Sequence, residues 1–475
     1  TSYTPTTALD RNKTYEWKVR AYDGQGGERS SGSFSFTTPN ISAPQLLSPV
    51  NNALGVSNPA PLTWSVPDTG EQGVRYEVMV SGNGVDWTSA ASGLTVSSYT
   101  LPTPYDKWTY WKVIATDLYG GNAESDPCRF SVQTSVTYED GEYWIIKENT
   151  VPNSPPFNII IMGDGFIRED FEFGGAFESE VNEVMDGFFE IEPFRTYKDY
   201  FRVIAVSAHS NERGATLLAD ATTGSKPKAG TKDTKFNSVL KGGSSSNTTA
   251  DNDLILTYAK KVPGIDDAAL NNAAVFLLIN IDIFAGTTTT WRYGRSVART
   301  CVDANKTARL IHEGGGHGIG RLKDEYIDYP TQSLPDEDKT QITNYRADRN
   351  DPFWFAGNVD ITGNREQAHW KHYFTINGYD RVGLYEGSYL YGKGAWKAEP
   401  ASIMAGSKST QYFNAPSREA IVRRIAGVTG NTFNFDDYLA KDVNTLPAGI
   451  RAKANAVYDQ TEPYTHETPE MIDEP

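Results

Sequence analysis

A repeat in the N-terminal part of the chain limits the folds that this part can adopt. Its two copies lie 94 residues apart and share a tryptophan-lysine-valine run, an alanine, an aspartate, a glycine pair and a phenylalanine. The copies are Trp17-Lys18-Val19, Ala21, Asp23, Gly26-Gly27 and Phe36, and Trp111-Lys112-Val113, Ala115, Asp117, Gly120-Gly121 and Phe130. Between them, alternating stretches such as residues 76–80 are separated by clusters of Gly, Pro, Asn and Ser, which is typical of strands joined by turns. Strands spaced in this way over about 90 residues indicate a β-sandwich.

The repeat also predicts domain boundaries. Its pattern resembles fibronectin type III or immunoglobulin-like modules, with the tryptophan-lysine-valine run on a central strand. Residues 1–40 match only the second half of the repeat, so we predict that they are the C-terminal part of a truncated module and that residues 41–134 form a complete one. On this interpretation the chain begins inside a domain, and we expect any export signal upstream of it.

From about residue 135 the pattern changes to alternating strands and helices, which predicts an α/β region. Apolar runs at 157–162, 201–206 and 275–281 predict buried strands. Phe177, Val181, Val184 and Phe188 recur at the spacing of one helix face. We expect residues 135–250 to form an N-terminal subdomain, with an exposed loop over 212–250, and residues 251–475 to form a second subdomain that ends in helices.

Charge, hydropathy and cysteine content exclude several classes of protein. The formal charge of −16 and the isoelectric point near 4.9 argue against nucleic acid as a partner, which calls for a basic face. No run of about 18 apolar residues occurs, so we predict no transmembrane segment. Cys128 and Cys301 fall in different predicted domains, and we expect two free thiols rather than a disulfide.

A short segment at residues 311–326 carries the strongest chemical signal. His312-Glu313 is followed by three glycines and His317, and the chain has only six histidines. On a regular α-helix, residues five apart point about 140° away from each other, so the two imidazoles could not share a metal ion. A single-turn π-bulge, with i→i+5 hydrogen bonds, would return them to one face. We therefore predict such a bulge, with the glycines tolerating the distortion; the alternative is a glycine-rich loop with two unrelated histidines.

The residue types in this segment predict a zinc-dependent hydrolase. Zinc in hydrolases binds three protein ligands and one water, and His312 and His317 supply two of the ligands. Glu313 is the predicted general base. Asp324 is the favoured third ligand, with Glu325 either an alternative ligand or a residue that orients the site. Without the histidines, the two acidic residues would be a solvated turn.

Other side chains are weaker candidates. Tyr385, Tyr389 and Tyr391 are possible stabilisers of an oxyanion, although aromatic packing is the more ordinary explanation for each. His369 and His372 lie three apart and would allow a second metal site, but a packed or surface pair is the better prediction. Met404, in a Ser-Ile-Met-x-Gly sequence, is either a core methionine or a methionine that packs beneath the metal.

These motifs together resemble the bacterial immunoglobulin-A metallopeptidase family. The resemblance covers roughly residues 135–450 and is carried by His-Glu…His-Gly, by a Leu-x-Asp-Glu-Tyr extension at 322–326, by Ile-x-Met-Gly-Asp-Gly-Phe at 160–166, by Tyr-Glu-Gly at 385–387 and by Ser-Ile-Met at 402–404. It implies a secreted, metzincin-like zinc endopeptidase with a helix-borne site under a mixed sheet. By the same resemblance His312, His317 and Asp324 are ligands, Glu313 is the base, and Met404 belongs to a Met-turn within a catalytic subdomain at 251–475. The extra residue between the histidines departs from the family's usual spacing.

The leading hypothesis is therefore an extracytoplasmic zinc metalloendopeptidase with N-terminal β-sandwich modules. Its expected partners are protein or peptide substrates, including glycoproteins and immunoglobulins. An alternative is a non-catalytic adhesion or binding protein on a degenerate peptidase fold, motivated by the widened histidine spacing. A metal-dependent deacetylase or amidase is a third, weaker option.

Overall fold

The chain divides into two compact units in the computed structural model, Thr1–Val136 and Thr137–Pro475. The structure describes residues 2–7, 9–38, 40–65, 73–349, 355–406, 412–442 and 470–472. The finer division at residues 40 and 250 remains a prediction.

The first unit consists of short antiparallel strands. They are β1 (Thr14–Trp17), β2 (Arg20–Tyr22), β3 (Glu28–Ser30), β4 (Phe34–Thr37), β5 (Leu46–Ser48), β6 (Ala60–Trp64), β7 (Arg75–Ser81), β8 (Thr88–Leu94), β9 (Ser98–Leu101), β10 (Thr109–Thr116), β11 (Asn122–Glu124) and β12 (Cys128–Phe130). One sheet has the order β5-β6-β9 and a second the order β11-β10-β7-β8, with β12 also paired to β10. Apolar side chains of both sheets share one core, which is the β-sandwich that the sequence predicted for this part of the chain.

The two copies of the repeat have different environments within this unit. In the second copy, Trp111 and Phe130 are fully buried, because alternate residues of β10 face the core. In the first copy, the side chains of Trp17 and Phe36 are 49% and 45% exposed. There β1 pairs only with β4, and β2 with β3, in the part of the chain that the structure describes.

The second unit alternates strands and helices. Its strands are β13 (Tyr143–Lys147), β14 (Phe157–Asp164), β15 (Phe201–Val206), β16 (Thr216–Leu217), β17 (Val239–Leu240), β18 (Thr248–Thr249), β19 (Ala273–Ile279), β20 (Gly286–Trp291), β21 (Ser296–Cys301), β22 (Ile327–Ser333), β23 (Val359–Asp360), β24 (Tyr385–Ser388), β25 (Leu390–Lys397) and β26 (Glu470–Ile472). Its α-helices are α1 (Ala176–Phe188), α2 (Asn252–Ala259), α3 (Asp267–Leu270), α4 (Lys306–Leu310), α5 (Asp336–Arg349), α6 (Ala415–Val428) and α7 (Phe435–Lys441). Short 3₁₀ helices span Arg168–Phe171, Lys198–Tyr200, Lys371–Thr375 and Ile403–Ala405, and a π-helix spans Ile311–Ile319.

The main sheet of this unit is mixed, with the order β13-β15-β14-β19-β21-β20-β26. The neighbours from β15 to β21 run parallel, whereas β13 and β20 are antiparallel to the strands beside them. The three predicted apolar runs correspond to β14, β15 and β19, and the predicted helix is α1. The prediction of β-sandwich modules followed by an α/β domain with a mixed sheet is thus confirmed.

Apolar cores cover both faces of this sheet, which explains the uninterrupted apolar runs of its central strands. Ile159 and Ile161 of β14 face a core that also contains residues of α1, α4, α6 and the π-helix. Ile160 and Met162 face the opposite core, which includes α2 and residues of 215–240. The expected exposed loop at 212–250 is therefore only partly correct, because β16 to β18 form a small sheet there and Phe236 is buried.

Two further expectations concern cysteines and membranes. Cys128 and Cys301 are both free thiols, as predicted. Across the described ranges, no helix combines the length and hydropathy that a membrane span requires.

Candidate metal centre

The histidine segment is a π-helix that continues directly from α4. It extends over Ile311–Ile319, and the N–H of Gly320 donates to the carbonyl of Gly315, five residues earlier, at 2.9 Å. Because i→i+5 bonding places one extra residue in a turn, residues five apart return to the same side of the helix. The predicted π-bulge is confirmed, and it is longer than the single turn that we expected.

Close packing around the three glycines explains their presence better than backbone distortion does. None of Gly314, Gly315 and Gly316 has a positive φ. A Cβ atom on Gly314 would lie 2.5 Å from the Phe276 ring, and one on Gly315 would lie 2.8 Å from the Phe194 ring. A Cβ on Gly316 would collide with the sulfur of Met404. The segment therefore needs glycine because its neighbours on three sides leave no room for a side chain.

Two imidazoles and one carboxylate converge beside this packing, and all three side chains are buried. The ring centroids of His312 and His317 are 4.8 Å apart. The Nε2 atoms of the two rings lie 3.1 and 3.2 Å from Oδ1 of Asp324. The three residues form a group whose ligand atoms all lie within 4.8 Å of one another, the separation that a shared metal ion requires. The chain thus brings together three of the predicted site residues.

The remaining ring nitrogens are held by backbone carbonyls. Nδ1 of His312 lies 3.0 Å from the carbonyl oxygen of Ile403, and Nδ1 of His317 lies 2.8 Å from that of Leu322. Carbonyl oxygens only accept hydrogen bonds, so each Nδ1 carries a hydrogen, and Nε2 is the ring atom that faces Asp324 and can bind a metal ion. This is the tautomer that metal-binding histidines adopt.

The donor set fits a divalent cation. Asp324 is 1% exposed, and its Oδ1 faces the Nε2 atoms of both imidazoles at 3.1 and 3.2 Å. Although burial raises the pKa of Asp324, the neighbouring imidazoles hold it well below its usual range. Burial alone lowers the pKa of His312, but the Asp324 carboxylate raises it to about 9. A cation placed between the buried carboxylate and the two Nε2 atoms would stabilise the carboxylate, and two imidazoles with a carboxylate are an ordinary zinc ligand set.

Glu313 lies beside this group in the same helix. It is 9% exposed, and its Oε2 accepts a hydrogen bond of 2.7 Å from the hydroxyl of Thr288 on β20. A carboxylate beside a metal group is the arrangement that general-base catalysis requires.

Glu325 follows Asp324 in sequence but has a different set of contacts. Its Oε1 accepts hydrogen bonds from the side-chain amides of Asn358 and Asn414, at 2.7 and 2.8 Å. Its Oε2 accepts one of 2.7 Å from the hydroxyl of Ser402. With both oxygens used by neutral donors, this carboxylate is not part of the three-residue group, and burial raises its pKa. The geometry thus favours Asp324 over Glu325 as the third ligand.

Met404 lies in the turn that the sequence singled out. Ile403–Ala405 is a 3₁₀ turn whose first N–H groups are capped by Ser402, since the Ser402 hydroxyl accepts a hydrogen bond from Met404 N at 3.1 Å. The Met404 side chain is fully buried and packs on Gly316. The same turn supplies the Ile403 carbonyl that holds His312, so it contacts the π-helix at two points.

The three candidate tyrosines have different positions. Tyr385 is exposed and donates its hydroxyl to the carbonyl of Arg381 at 3.3 Å. Tyr391 packs on Tyr329, with ring centroids 5.4 Å apart. Tyr389 is buried and donates its backbone N–H to the Asp324 carbonyl at 2.9 Å. Of the three, Tyr389 is the one tied to a predicted ligand, and a hydroxyl role for any of them remains a prediction.

Sequence reasoning missed one neighbour of the site, Thr288, and assigned no role to another, Tyr326. Thr288 contacts Glu313 from a strand 25 residues earlier, in a run of four threonines that predicts only a strand. Tyr326 lies two residues after Asp324, and burial together with the charge of Asp324 raises its pKa well above the ordinary value. The position of Tyr326 two residues after Asp324 was the one feature of the sequence that could have pointed to it.

Comparison with known proteins finds a family model that matches the part of the chain around this site. Residues 145–377 match the model of the family described as IgA Peptidase M64. The match agrees with the family that the sequence motifs indicated. The matched stretch contains His312, Glu313, His317 and Asp324, whereas Met404 and the three tyrosines lie beyond it.

Two other comparisons are less informative. A search of curated proteins finds no match. Among solved structures, the crystal structure of the chicken CNTN1 FN1–FN3 domains is similar to part of the chain, with 17% identity and a TM-score of 0.17. The similarity covers 30% of this chain and 57% of the chicken chain.

Proposed function

We propose that this protein is a zinc-dependent metalloendopeptidase that hydrolyses peptide bonds of extracellular proteins. The observation that carries the proposal is the convergence of the His312 and His317 imidazoles on the buried carboxylate of Asp324. The match of residues 145–377 to the model of a peptidase family supports hydrolysis of peptide bonds.

In this proposal His312, His317 and Asp324 hold the ion through Nε2, Nε2 and a carboxylate oxygen. A zinc ion bound there would lower the pKa of a water molecule and polarise the carbonyl of the scissile peptide. The Nδ1 hydrogen bonds to Ile403 and Leu322 keep both imidazoles turned towards the ion. Met404 supports the helix from beneath by packing on Gly316.

Glu313 is the proposed general base. Its carboxylate accepts a proton from the attacking water, and the new carbon–oxygen bond forms at the peptide carbonyl. Glu313 then delivers this proton to the leaving nitrogen as the carbon–nitrogen bond breaks, so the products are a carboxylate and an amine. A tyrosine hydroxyl, from Tyr385, Tyr389 or Tyr391, is a further candidate for stabilising the charge on the carbonyl oxygen.

The proposed setting is extracytoplasmic, with glycoproteins and immunoglobulins among the candidate substrates. The N-terminal β-sandwich modules would engage a surface or a substrate. The alternative of a non-catalytic binding protein was motivated by the wide spacing of the two histidines. In a π-helix, residues five apart lie on the same side, so the spacing no longer argues against a shared metal ion.

The test uses fluorescently labelled casein and a fluorogenic peptide library, with zinc measured per chain. We expect the wild-type protein to cleave at least one probe, to lose this activity with a chelator and to regain it with zinc. Glu313→Gln should retain zinc and lower kcat by about 100-fold or more, since general acid–base catalysis contributes about 10²–10⁴-fold. The matched control is Glu337→Gln, at an exposed position of α5. Cleavage by Glu313→Gln at the wild-type rate, or no turnover by zinc-loaded wild-type protein, would overturn the proposal.

A further inference from the structure

Thr288 is a fully buried residue in the middle of β20, on the strand that packs beside the π-helix. Its hydroxyl oxygen lies 2.7 Å from Oε2 of Glu313 and 3.0 Å from the backbone carbonyl oxygen of the same residue. Both acceptors therefore belong to one residue. One hydroxyl thus contacts both the side chain and the main chain of Glu313. These two contacts fix the orientation of the carboxylate relative to the helix backbone.

The strand that carries Thr288 is itself held in place. β20 pairs antiparallel with β21, with Thr288 opposite Ala298, and all residues of both strands are buried. A threonine on a buried strand has a restricted χ1 angle, so its hydroxyl is held in one direction. Glutamate, in contrast, has three rotatable side-chain bonds, and its order depends on its hydrogen-bond partners.

The contacts of Glu313 differ from those of the neighbouring buried carboxylates. Glu325 uses both oxygens to accept three hydrogen bonds. In the part of the chain that the structure describes, Glu313 has its one side-chain contact at Oε2, from Thr288. The other oxygen is left for a group that is not part of the chain, which is what a base that receives a proton from water requires.

The other threonines of the run have separate partners. Thr287 points to the opposite face and accepts a hydrogen bond of 2.9 Å from the backbone N–H of Thr248. Thr289 accepts one of 2.7 Å from the guanidinium of Arg299. Thr288 thus contacts the predicted base, whereas Thr287 and Thr289 form hydrogen bonds with residues of other strands.

We propose that Thr288 is a positioning residue that fixes the carboxylate of Glu313 for proton transfer. This inference rests on the proposed peptidase function. Thr288 contacts neither the metal ligands nor a substrate in this account; it acts through Glu313. The expected consequence is that the loss of its hydroxyl lowers kcat and leaves KM and zinc content close to their wild-type values.

The experiment compares four variants on the labelled casein and fluorogenic peptide probes. Thr288→Val keeps the shape of the side chain and removes the hydroxyl, whereas Thr288→Ser keeps the hydroxyl and removes the methyl group. Thr287→Val is the matched control, because it deletes a hydrogen-bonded hydroxyl from the preceding residue, which is also buried. Glu313→Gln reports on the proposed function itself. Zinc per chain and thermal melting are measured for each variant.

We expect kcat of Thr288→Val to fall by about 10-fold or more, because the variant loses a hydrogen bond to a charged group that orients the base. Thr288→Ser and Thr287→Val should remain within about 3-fold of wild type. If Thr288→Val does not fold, Thr288→Ala replaces it in the comparison with Thr288→Ser. Wild-type kcat in the variant without the hydroxyl, or an equal loss in Thr288→Ser, would overturn the inference. Activity in Glu313→Gln would instead overturn the proposed function, so the two failures are distinguishable.

Discussion

In two histidine pairs of the second unit, the sequence spacing alone gives the wrong expectation of whether the two rings meet. His312 and His317 are five residues apart, which separates side chains on an α-helix, yet their Nε2 atoms converge on Asp324. His369 and His372 are three residues apart, a spacing that aligns side chains in a 3₁₀ helix, yet they contact different carboxylates. His369 lies 2.8 Å from Asp360 and His372 lies 2.8 Å from Glu419.

The difference arises from the backbone and from the partners of each ring. The first pair lies wholly inside the π-helix, and backbone carbonyls hold both Nδ1 atoms on the far side. In the second pair, only His372 belongs to the 3₁₀ helix Lys371–Thr375, and His369 precedes it. Among the described residues, a group of three metal-binding side chains forms around the first pair and not around the second. Spacing therefore predicts a shared ligand only when the type of helix is known.

Removing one imidazole from each pair should give the largest contrast. His317→Ala removes one of three ligands, and we expect zinc retained after dialysis to fall from about one ion per chain to near zero. His372→Ala should retain the wild-type amount. Zinc is measured by atomic emission on dialysed protein. Equal zinc content in the two variants would contradict the assignment of the first pair as the metal site.

Adding a methyl group to the π-helix tests whether its packing maintains the convergence. Gly316→Ala would force the Met404 sulfur away, and overpacking of this kind costs about 1–3 kcal/mol of the free energy of unfolding. We also expect weaker zinc binding, because the ligands move with the helix. The matched control is Gly427→Ala in α6, where a Cβ atom meets nothing within 4 Å and alanine should stabilise the helix by up to about 1 kcal/mol. Urea denaturation and zinc titration measure both effects, and equal behaviour of the two variants would remove the packing argument.

Glu325→Gln tests whether the hydrogen bonds of Glu325 hold the neighbouring Asp324 in place. The new amide group would face the hydroxyl and amide donors of Ser402, Asn358 and Asn414, of which at least one would lose its acceptor. We expect the free energy of unfolding to fall by about 1–3 kcal/mol and zinc affinity to weaken about 10- to 100-fold. Glu419→Gln, at the carboxylate of the second histidine pair, should lower stability without changing zinc affinity. A Glu325→Gln protein with wild-type zinc affinity would show that the hydrogen bonds of Glu325 do not influence Asp324.

The smallest effect is expected at the second pair. His372→Ala removes one hydrogen bond to Glu419, which keeps its contact with Arg423 at 2.9 Å. The free energy of unfolding should decrease by about 1 kcal/mol, measured by urea denaturation, with kcat unchanged. A loss of activity in this folded variant would mean that the second pair takes part in catalysis.

The sequence predicted those parts of the fold and site that depend on neighbouring residues. The buried strands β14, β15 and β19 were readable because both of their faces are apolar, and the π-helix followed from the spacing of two histidines. The hydrogen bonds of Glu325 could not be predicted from the sequence, because Asn358 and Asn414 lie 33 and 89 residues after it. Thr288 was not readable either, since a threonine in a run of threonines carries no sign of the glutamate that it contacts. Both depend on chain folding that brings distant polar side chains to one buried place.

The most direct test of the account is a crystal structure of the zinc-loaded protein with anomalous data collected at the zinc edge. We predict one anomalous peak about 2.0–2.2 Å from Nε2 of His312, Nε2 of His317 and a carboxylate oxygen of Asp324, with residues 311–319 still π-helical. A peak bound by Glu325 instead of Asp324, or a segment rewound into an α-helix with the two rings apart, would contradict it.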